Sequence, residues 1–376
     1  MPTTGSPRVI NLPVYSKLSQ IILGIIGFFF ILYVGQDILM PLVFSVIFAI
    51  LLNPAVNYFC GKGLNRVLSI LIVLAVAFLS ILGILYFLGM QLSMFTESLP
   101  QFKEHFTVLI NDAINWVSAK FNIPQANIDA WVLKIKKDGM ERGPSMIGDA
   151  LGTVSGVLAI VFLLPVYMFT MLYYKPLLLE FVAELFKKKE HALVAEVLSE
   201  TKILIQSYLM GLLIEMILVA AMNSIGLMII GVKYGLLIGI IGAILNLIPY
   251  IGGIIAILLP VLMALATGNN SQAIWSVALY LVVQFIDNNL IVTKIVASKV
   301  KINALISIVV VLIGGALWGV SGMFLSIPIT AIVKVVFDRI EPLKPFGFLL
   351  GDNQPDVSKV IFQFKKKRAP KTEEAK

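Results

Sequence analysis

Long apolar runs with almost no charge constrain this chain more than any other feature. Charged residues make up only 13% of the sequence and apolar residues 59%, against roughly 25% and 45–50% in soluble domains. Several of these runs approach or exceed the roughly 20 residues that a helix needs to cross a bilayer. The sequence therefore predicts an all-α polytopic membrane protein.

Six of the runs are predicted to be full transmembrane helices: 21–35, 38–59, 67–90, 151–174, 203–230 and 273–291. Lysine and arginine residues cluster beside alternate ends of these runs, and the positive-inside rule places such ends in the cytoplasm. Arg8 and Lys17 precede the first run, and a basic run at 365–368 follows the last. Both termini are therefore expected to be cytoplasmic.

The same count divides the chain into five regions. Residues 1–90 are predicted to form three transmembrane helices, 91–150 an extracytoplasmic helical domain, and 151–202 a transmembrane helix with a cytoplasmic helical segment. Residues 203–337 are predicted to form a core of two inverted repeats, and 338–376 a cytoplasmic basic tail. The 91–150 region lacks the cationic excess of an inside loop, which favours its external placement.

Two further apolar runs are interrupted near their middle, 234–267 by the stretch 246–253 and 303–337 by the stretch 314–322. Each run is shorter than the roughly 40 residues and a turn that two full crossings need. Each is predicted to be a re-entrant or broken helical hairpin, the first opening outward and the second inward. Such inverted repeats are typical of secondary transporters, although glycine and proline are also common where membrane helices simply cross closely.

Polar residues inside these runs are candidates for a substrate or ion path. Gln284, Asp287 and Asn288 share a helix face by their spacing, and Glu215 lies deep in another span. A carboxylate within a span costs up to about 2.5–3.5 kcal/mol on insertion scales, so it normally faces protein or water. A purely structural hydrogen bond between helices is the alternative. The full set of predicted path residues is Asn246, Pro249, Gly252, Gly253, Gln284, Asp287, Asn288, Asn289 and Glu215.

The same sequence argues against several other classes of protein. The single cysteine, Cys60, allows no internal disulfide and no thiolate cluster, and both histidines lie in hydrophilic segments, so no metal and no cofactor is expected. A G-x-S-G string at 319–322 has no histidine base near it, so the chain is not expected to be an enzyme. The net charge of +8 fits anionic lipid and the positive-inside rule rather than nucleic acid.

Several stretches together resemble the AI-2E transporter family, also called the PerM-like or autoinducer-2 exporter-like family. They are Met40-Pro-Leu, Leu51-Leu-Asn-Pro54, Asn246-Leu-Ile-Pro-Tyr-Ile-Gly-Gly253, Gln284-Phe-Ile-Asp-Asn-Asn-Leu290, Gly314-Gly-Ala-Leu-Trp-Gly-Val-Ser-Gly322 and Ile327-Pro-Ile329. The resemblance implies a bacterial inner-membrane protein, a homo-oligomer, and export of small polar molecules such as autoinducer-2. Some members are described instead as sodium/proton antiporters.

One position departs from the family pattern, which usually has proline and then glycine after the paired asparagines. This chain has Thr293 and Ala297 there, which predicts a straighter and stiffer helix end. The sequence as a whole predicts a secondary transporter or exporter of a small polar solute. A cation/proton antiporter that uses Asp287 and Glu215, and a non-transporting membrane scaffold, are the two alternatives.

Overall fold

The computed structural model describes residues 13–97, 163–249, 252–296 and 302–352, together with Asn111, Asn115 and Lys120. Nearly all of these residues are helical. Six of the described helices are long and apolar enough to cross a membrane. Five match predicted spans, and the sixth is the run at 304–339, which was predicted as a hairpin. The predicted span at 151–174 is described only over its second half, as one of three shorter apolar helices. The predicted all-α polytopic membrane protein is thus confirmed.

The N-terminal third consists of three long helices, α1 (Val14–Val34), α2 (Gln36–Gly61) and α3 (Arg66–Glu97). A single residue, Gly35, separates α1 from α2, as expected from the short polar break in the sequence. Helix α2 buries one face in the protein, whereas α1 has no buried residue and therefore presents its apolar surface outward. The predicted external domain at 91–150 lies almost wholly outside the described residues.

Three helices lead into the C-terminal half: α4 (Leu163–Tyr173), α5 (Lys175–Glu184) and α6 (His191–Ile230). The first part of the predicted span at 151–174 lies outside the described residues, so α4 is only its second half. A short 3-10 turn, Lys188–Glu190, leads into α6. Helix α6 is the longest of the described helices, and its central residues are buried against most of the C-terminal half.

The run at 234–267 forms two short helices, α7 (Gly235–Asn246) and α8 (Gly252–Ala266), which we call the first hairpin. A Cβ atom added at Gly252 would collide with the backbone carbonyl of Leu245, so the two helices touch through their backbones at this point. The far ends of the hairpin share a core with α6 and α9, which includes Leu227, Ile238, Met263 and Tyr280. The hairpin is thus fixed at both its tip and its base.

Helix α9 (Asn270–Ile286) begins at Asn269, whose side-chain oxygen accepts a hydrogen bond from the backbone N–H of Gln272 at 3.1 Å. From Asp287 to Val296 the chain continues as a π-helix. At Thr293 the chain is therefore still helical, in the form of a wider helical turn, and the straightness expected of this end stays a prediction. Wide turns of this kind re-aim side chains and often occur at functional sites.

The run at 303–337 is a second hairpin, α10 (Ala304–Arg339), in which Trp318 and Gly319 have non-helical backbone angles. Gly319 has φ 59°, a value that glycine adopts without strain. Gly314 and Gly322 touch each other through their backbones, although along a straight helix they would lie about 12 Å apart. The two halves of α10 therefore fold back on one another.

The residues after α10 are folded onto the core rather than extended. Helix α11 (Lys344–Leu350) is followed by Gly351, which forms an isolated bridge with Ile302. The Asn303 side chain donates to the carbonyls of Leu349 at 2.6 Å and Gly351 at 3.1 Å. Residues 338–352, which the sequence analysis grouped with a tail, therefore close one end of the second hairpin.

Candidate functional site

A cavity of about 910 Å³ lies between α6, the first hairpin, α9 with its π-helix, and the start of α10. Its polar lining includes Glu215 from α6, Asn246 and Pro249 from the hairpin tip, and Asp287 from the π-helix. Asp352, beyond α11, lines it as well. The lining that the structure describes contains three carboxylates and no lysine, arginine or histidine, so the cavity favours cations and hydrogen-bond donors.

Asn246 joins the two buried carboxylates of this cavity. Its Nδ2 donates to Asp287 Oδ2 at 2.9 Å and reaches Glu215 Oε1 at 3.5 Å. Asp287 is 1% exposed and Glu215 is 5% exposed, so neither carboxylate is held in open solvent. Residues that are distant in sequence and lie on three helices thus converge on one amide group.

The sequence places Asn246 at this point through the proline that follows it. Pro249 has no backbone N–H and disfavours a helical conformation in the residue before it, so α7 ends at Asn246. The Asn246 side chain is then held at a helix terminus facing α6 and α9. Asp287 lies where α9 changes from an α-helix to a π-helix, which sets the direction of its carboxylate.

Gly253 provides close contact between α8 and the same polar group. A Cβ atom there would lie 3.1 Å from Gln284 Oε1 and 3.5 Å from Asn246 Oδ1. Gln284 in turn donates from Nε2 to Asn288 Oδ1 at 3.4 Å. Gly253 therefore leaves room for two amide side chains that line the cavity.

The nine predicted path residues divide into two groups in the structure. Seven line the cavity: Glu215, Asn246, Pro249, Gly253, Gln284, Asp287 and Asn288. Gly252 does not line it, and instead lies at the backbone crossing of α7 and α8. Asn289 does not line it either, and its Nδ2 donates to the carbonyl of Phe285 at 2.8 Å.

Four polar residues of the cavity were not predicted from the sequence: Tyr208, Tyr280, Ser307 and Asp352. Tyr280 could have been predicted from its spacing, because positions 280, 284, 287 and 288 fall on one face of a helix. Asp352 gave no such signal, because it lies in a polar segment after the last apolar run. Only the folding of α11 against Asn303 brings it to the cavity.

Two buried oxygen atoms of residues that line the cavity have no hydrogen-bond partner among the residues that the structure describes. They are Asp287 Oδ1 and the Tyr280 hydroxyl oxygen. A buried polar atom without a partner costs about 1–3 kcal/mol, so native proteins rarely leave one without water or a ligand. The cavity is therefore chemically suited to a molecule or ion that offers hydrogen bonds or positive charge.

Comparison with known proteins relates this chain to transporters. Residues 21–341 match the model of the AI-2E family transporter. The chain is 26% identical to YrrI of Bacillus subtilis (strain 168), over 80% of this chain and 86% of that protein. It is 23% identical to YhhT of Escherichia coli (strain K12), over 94% and 98% of the two chains. It is 22% identical to the AI-2 transport protein TqsA of Escherichia coli (strain K12), over 85% and 90%.

Proposed function

The chain belongs to the AI-2E transporter family, and we propose that it is a secondary transporter that moves a small polar solute through the cavity at Asn246. The observation that carries the proposal is the convergence of Glu215 and Asp287 on one buried amide. Polar groups at membrane depth are costly unless they serve a path or a neighbour. Here they face a cavity large enough for a small molecule.

The chemistry of the lining favours a neutral solute rich in hydroxyl groups. Carboxylates accept hydrogen bonds from hydroxyl donors, and Asp287 Oδ1 has no partner among the described residues. One relative is named an AI-2 transport protein, and an autoinducer-2-like molecule is the solute that we assign to this chain. The transporter would act without enzymatic chemistry of its own.

Cation/proton antiport is the second candidate, and one specific observation favours it. Two carboxylates share a single amide donor, and no basic side chain is among the described residues that line the cavity. Two carboxylates held close together repel each other when both are ionised. Binding of one cation or one proton relieves that repulsion, which is the exchange that an antiporter requires.

We also propose where the protein is located and how it assembles. The protein is a multi-pass membrane protein, and its place would be the inner membrane of a bacterium with both termini in the cytoplasm. It would act as a homo-oligomer, for which the apolar surface of α1, which has no buried residue, offers an area of contact. Crosslinking of the full chain in its own membrane tests the oligomer, and single bands at every crosslinker dose would contradict it.

Solute counterflow in proteoliposomes tests whether the chain transports at all. Liposomes loaded with an unlabelled polyol should accumulate the labelled polyol when the protein is present. Absence of both counterflow and sodium-driven proton movement would instead support a scaffold without transport. Acidification of the medium on addition of sodium would identify the antiporter.

The variant Asp287→Asn separates the two modes of transport. If a neutral solute binds, a strong acceptor becomes a weaker one, and KM should rise roughly tenfold, equivalent to about 1.4 kcal/mol. The pH dependence of the initial rate should then stay as in the wild type. If the site carries a cation or proton, coupling should be lost and the pH profile should become flat.

Asp37→Asn is the matched control, because Asp37 is an exposed carboxylate in the first turn of α2. It should transport like the wild type in the same liposomes. Unchanged rate and affinity in Asp287→Asn at every pH would remove Asp287 from the path, and the proposed site with it. The equivalent change Glu215→Gln should act in the same direction as Asp287→Asn.

A further inference from the structure

A second cavity, of about 590 Å³, lies between α2, α4, α5 and the start of α6, and it differs in character from the first. Its walls are mostly aliphatic, with Val46, Ala49, Ile50, Leu178, Val194 and Leu198 among them. Both its volume and its apolar walls are typical of sites for small hydrophobic ligands. It shares no lining residue with the first cavity, which we call the carboxylate cavity after Glu215, Asp287 and Asp352.

Positive charge is concentrated at this second cavity. Lys175 and Lys202 line it, and Arg66 is held nearby by its hydrogen bond to the carbonyl of Leu172 at 2.6 Å. Burial, together with the charges of Lys202 and Arg66, lowers the pKa of Lys175 below its ordinary value. Among the described lining residues there is no aspartate or glutamate.

The nearest acidic residues of α6 are used elsewhere. Glu196 and Glu200 both form ion pairs with Arg339 at the end of α10, the first at 2.7 Å. Both carboxylates are thus directed at Arg339, and no ion pair joins either of them to Lys175 or Lys202 among the described residues. The cavity combines an apolar interior with cations that an anionic group could neutralise.

Asn53 adds a buried hydrogen-bond donor to the cavity. Its Oδ1 accepts a hydrogen bond from Lys175 Nζ at 3.2 Å. Its Nδ2 is buried and has no hydrogen-bond partner within the described part of the chain, and the residue is only 5% exposed. A ligand that carries an acceptor oxygen next to an apolar chain would satisfy this donor.

Helix α5 indicates that the cavity lies at the membrane boundary. At about 1.5 Å per residue its length is about 15 Å, too short to cross the hydrocarbon core of about 30 Å. Its side chains Leu177 and Phe181 are nevertheless 59% and 60% exposed. A short helix with an exposed apolar face beside lysines is typical of the interface where lipid headgroups and acyl chains meet.

We infer that this second cavity is a binding site for an anionic phospholipid. One acyl chain occupies the aliphatic interior, and the phosphate lies against Lys175 and Lys202. Asn53 Nδ2 donates to an ester or phosphate oxygen of the same molecule. Basic pockets between membrane helices are known as sites for anionic headgroups, and here the apolar walls add selectivity for a lipid over a soluble anion.

Native mass spectrometry of the purified full chain tests the site. The protein is incubated with phosphatidylglycerol or with phosphatidylcholine of the same acyl chains, and bound lipid is counted. Wild type should retain phosphatidylglycerol in clear excess over phosphatidylcholine. The double variant Lys175→Gln/Lys202→Gln should lose most of this excess, because both headgroup cations are removed.

Two further variants complete the test: one blocks the place of the acyl chain, and the other is a control for the loss of a lysine charge. Ala195→Phe adds bulk at a lining position that is exposed, so it should exclude the acyl chain and leave the fold intact. Lys62→Gln is the matched control, since Lys62 also follows a membrane helix but lies over the Tyr58 ring at 4.6 Å. Lys62→Gln should retain lipid like the wild type.

Three results would overturn the inference. Equal retention of the two lipids by the wild type would remove the role of the cations. Equal loss in Lys62→Gln would show that surface charge alone attracts the lipid. Displacement of the lipid by inorganic phosphate at modest concentration would identify a site for a soluble anion without an acyl chain.

Discussion

The two hairpins of the C-terminal half begin from similar sequence signals and end in different roles. Both are apolar runs interrupted by glycine, and both cross through close backbone contact. The first hairpin carries Asn246 and Pro249 into the carboxylate cavity. The second hairpin contributes a wall to that cavity with Ser307 and Ile327, but its interruption lies elsewhere.

The side chain at each interruption explains the difference. In the first hairpin an asparagine ends the helix, and its amide is directed at two carboxylates. In the second hairpin a tryptophan stands at the break, and its Nε1 donates to the carbonyl of Leu32 in α1 at 3.0 Å. A broken helix is therefore not a binding site by itself, because the polar group at the break decides what it contacts.

Opposite orientation of the two hairpins is the prediction with the largest expected effect. In a Cys60→Ser background, Asn270→Cys at the base of the first hairpin should react with a membrane-impermeant maleimide added to intact cells. Glu341→Cys, at the base of the second hairpin, should react only after permeabilisation, because the basic flanks place it inside. The readout is all-or-none labelling on a gel.

The native cysteine provides the control for that experiment. Cys60 lies at the end of α2 beside Lys62, so in the wild type it should resist labelling from outside. Labelling of both new cysteines from the same side would contradict the inverted repeat. Labelling of Cys60 in intact cells would overturn the assigned topology.

Substitution of the glycines at the backbone crossing of each hairpin should have the next largest effect. In Gly252→Ala the new Cβ meets the carbonyl of Leu245, and in Gly322→Ala it meets that of Gly314. Each should lower the free energy of unfolding by more than about 3 kcal/mol, above the usual cost of overpacking, because backbone cannot move aside as a side chain can. Thermal unfolding in detergent measures the loss.

Gly83→Ala is the matched control, since a Cβ at Gly83 meets nothing within 4 Å. Its melting temperature should be unchanged or slightly higher, because alanine favours helix more than glycine does. A wild-type melting temperature in Gly252→Ala or in Gly322→Ala would show that the hairpin concerned closes in some other way.

Much of this architecture could be predicted from the sequence because lipid imposes one simple rule on helix length. The runs that became α1, α2 and α3 were visible as apolar stretches, as was the break between α7 and α8. The meeting of Asn246 with Glu215 and Asp287 was not visible, because these residues are 31 and 41 positions apart. Which faces of three helices meet depends on side-chain packing, which hydrophobicity alone does not specify.

The π-helix and the residues after α10 were missed for related reasons. A π-helix differs from an α-helix by a small change of hydrogen bonding, and the sequence from Asp287 to Val296 carries no proline or glycine to mark it. Asp352 reaches the cavity through the bonds that Asn303 makes with Leu349 and Gly351. Such contacts between distant segments have no periodic signature.

Bulk at the cavity side of the first hairpin should affect transport more than stability. Gly253→Leu should abolish transport while insertion and assembly persist, since its side chain would displace Gln284 and Asn246 rather than backbone. The corresponding change in the second hairpin, Gly315→Leu, meets the flexible side chain of Met323 and does not reach the cavity. Gly315→Leu should therefore transport at close to the wild-type rate.

Initial rates in proteoliposomes, normalised to folded protein, compare these two leucine variants. Equal loss in both would mean that the second hairpin belongs to the path as much as the first. Wild-type transport by Gly253→Leu would mean that Gly253 serves only the close approach of α8 to its neighbours.

Two hydroxyl groups of the second hairpin that lie outside the cavity, those of Ser326 and Thr330, should have the smallest effect. Ser326 Oγ donates to the carbonyl of Met323 and Thr330 Oγ1 to that of Ser326, both at 2.7 Å. Both residues are nearly buried, at 8% exposure, and neither lines the carboxylate cavity. Their hydrogen bonds are made within their own helix, so no solute needs them.

Ser326→Ala and Thr330→Val should consequently keep transport within about twofold of wild type and cost about 0.5–1.5 kcal/mol of stability, the usual net value of one hydrogen bond. Asn246→Leu in the first hairpin is the counterpart, and it should abolish transport because it leaves two buried carboxylates without their shared donor. Measured KM distinguishes the cases, because a hydroxyl that touches solute raises KM when it is removed, whereas a structural one does not. A rise in KM for either hydroxyl variant would extend the path from Ser307 and Ile327 to further residues of the second hairpin. The unequal roles of the two hairpins would then have to be abandoned.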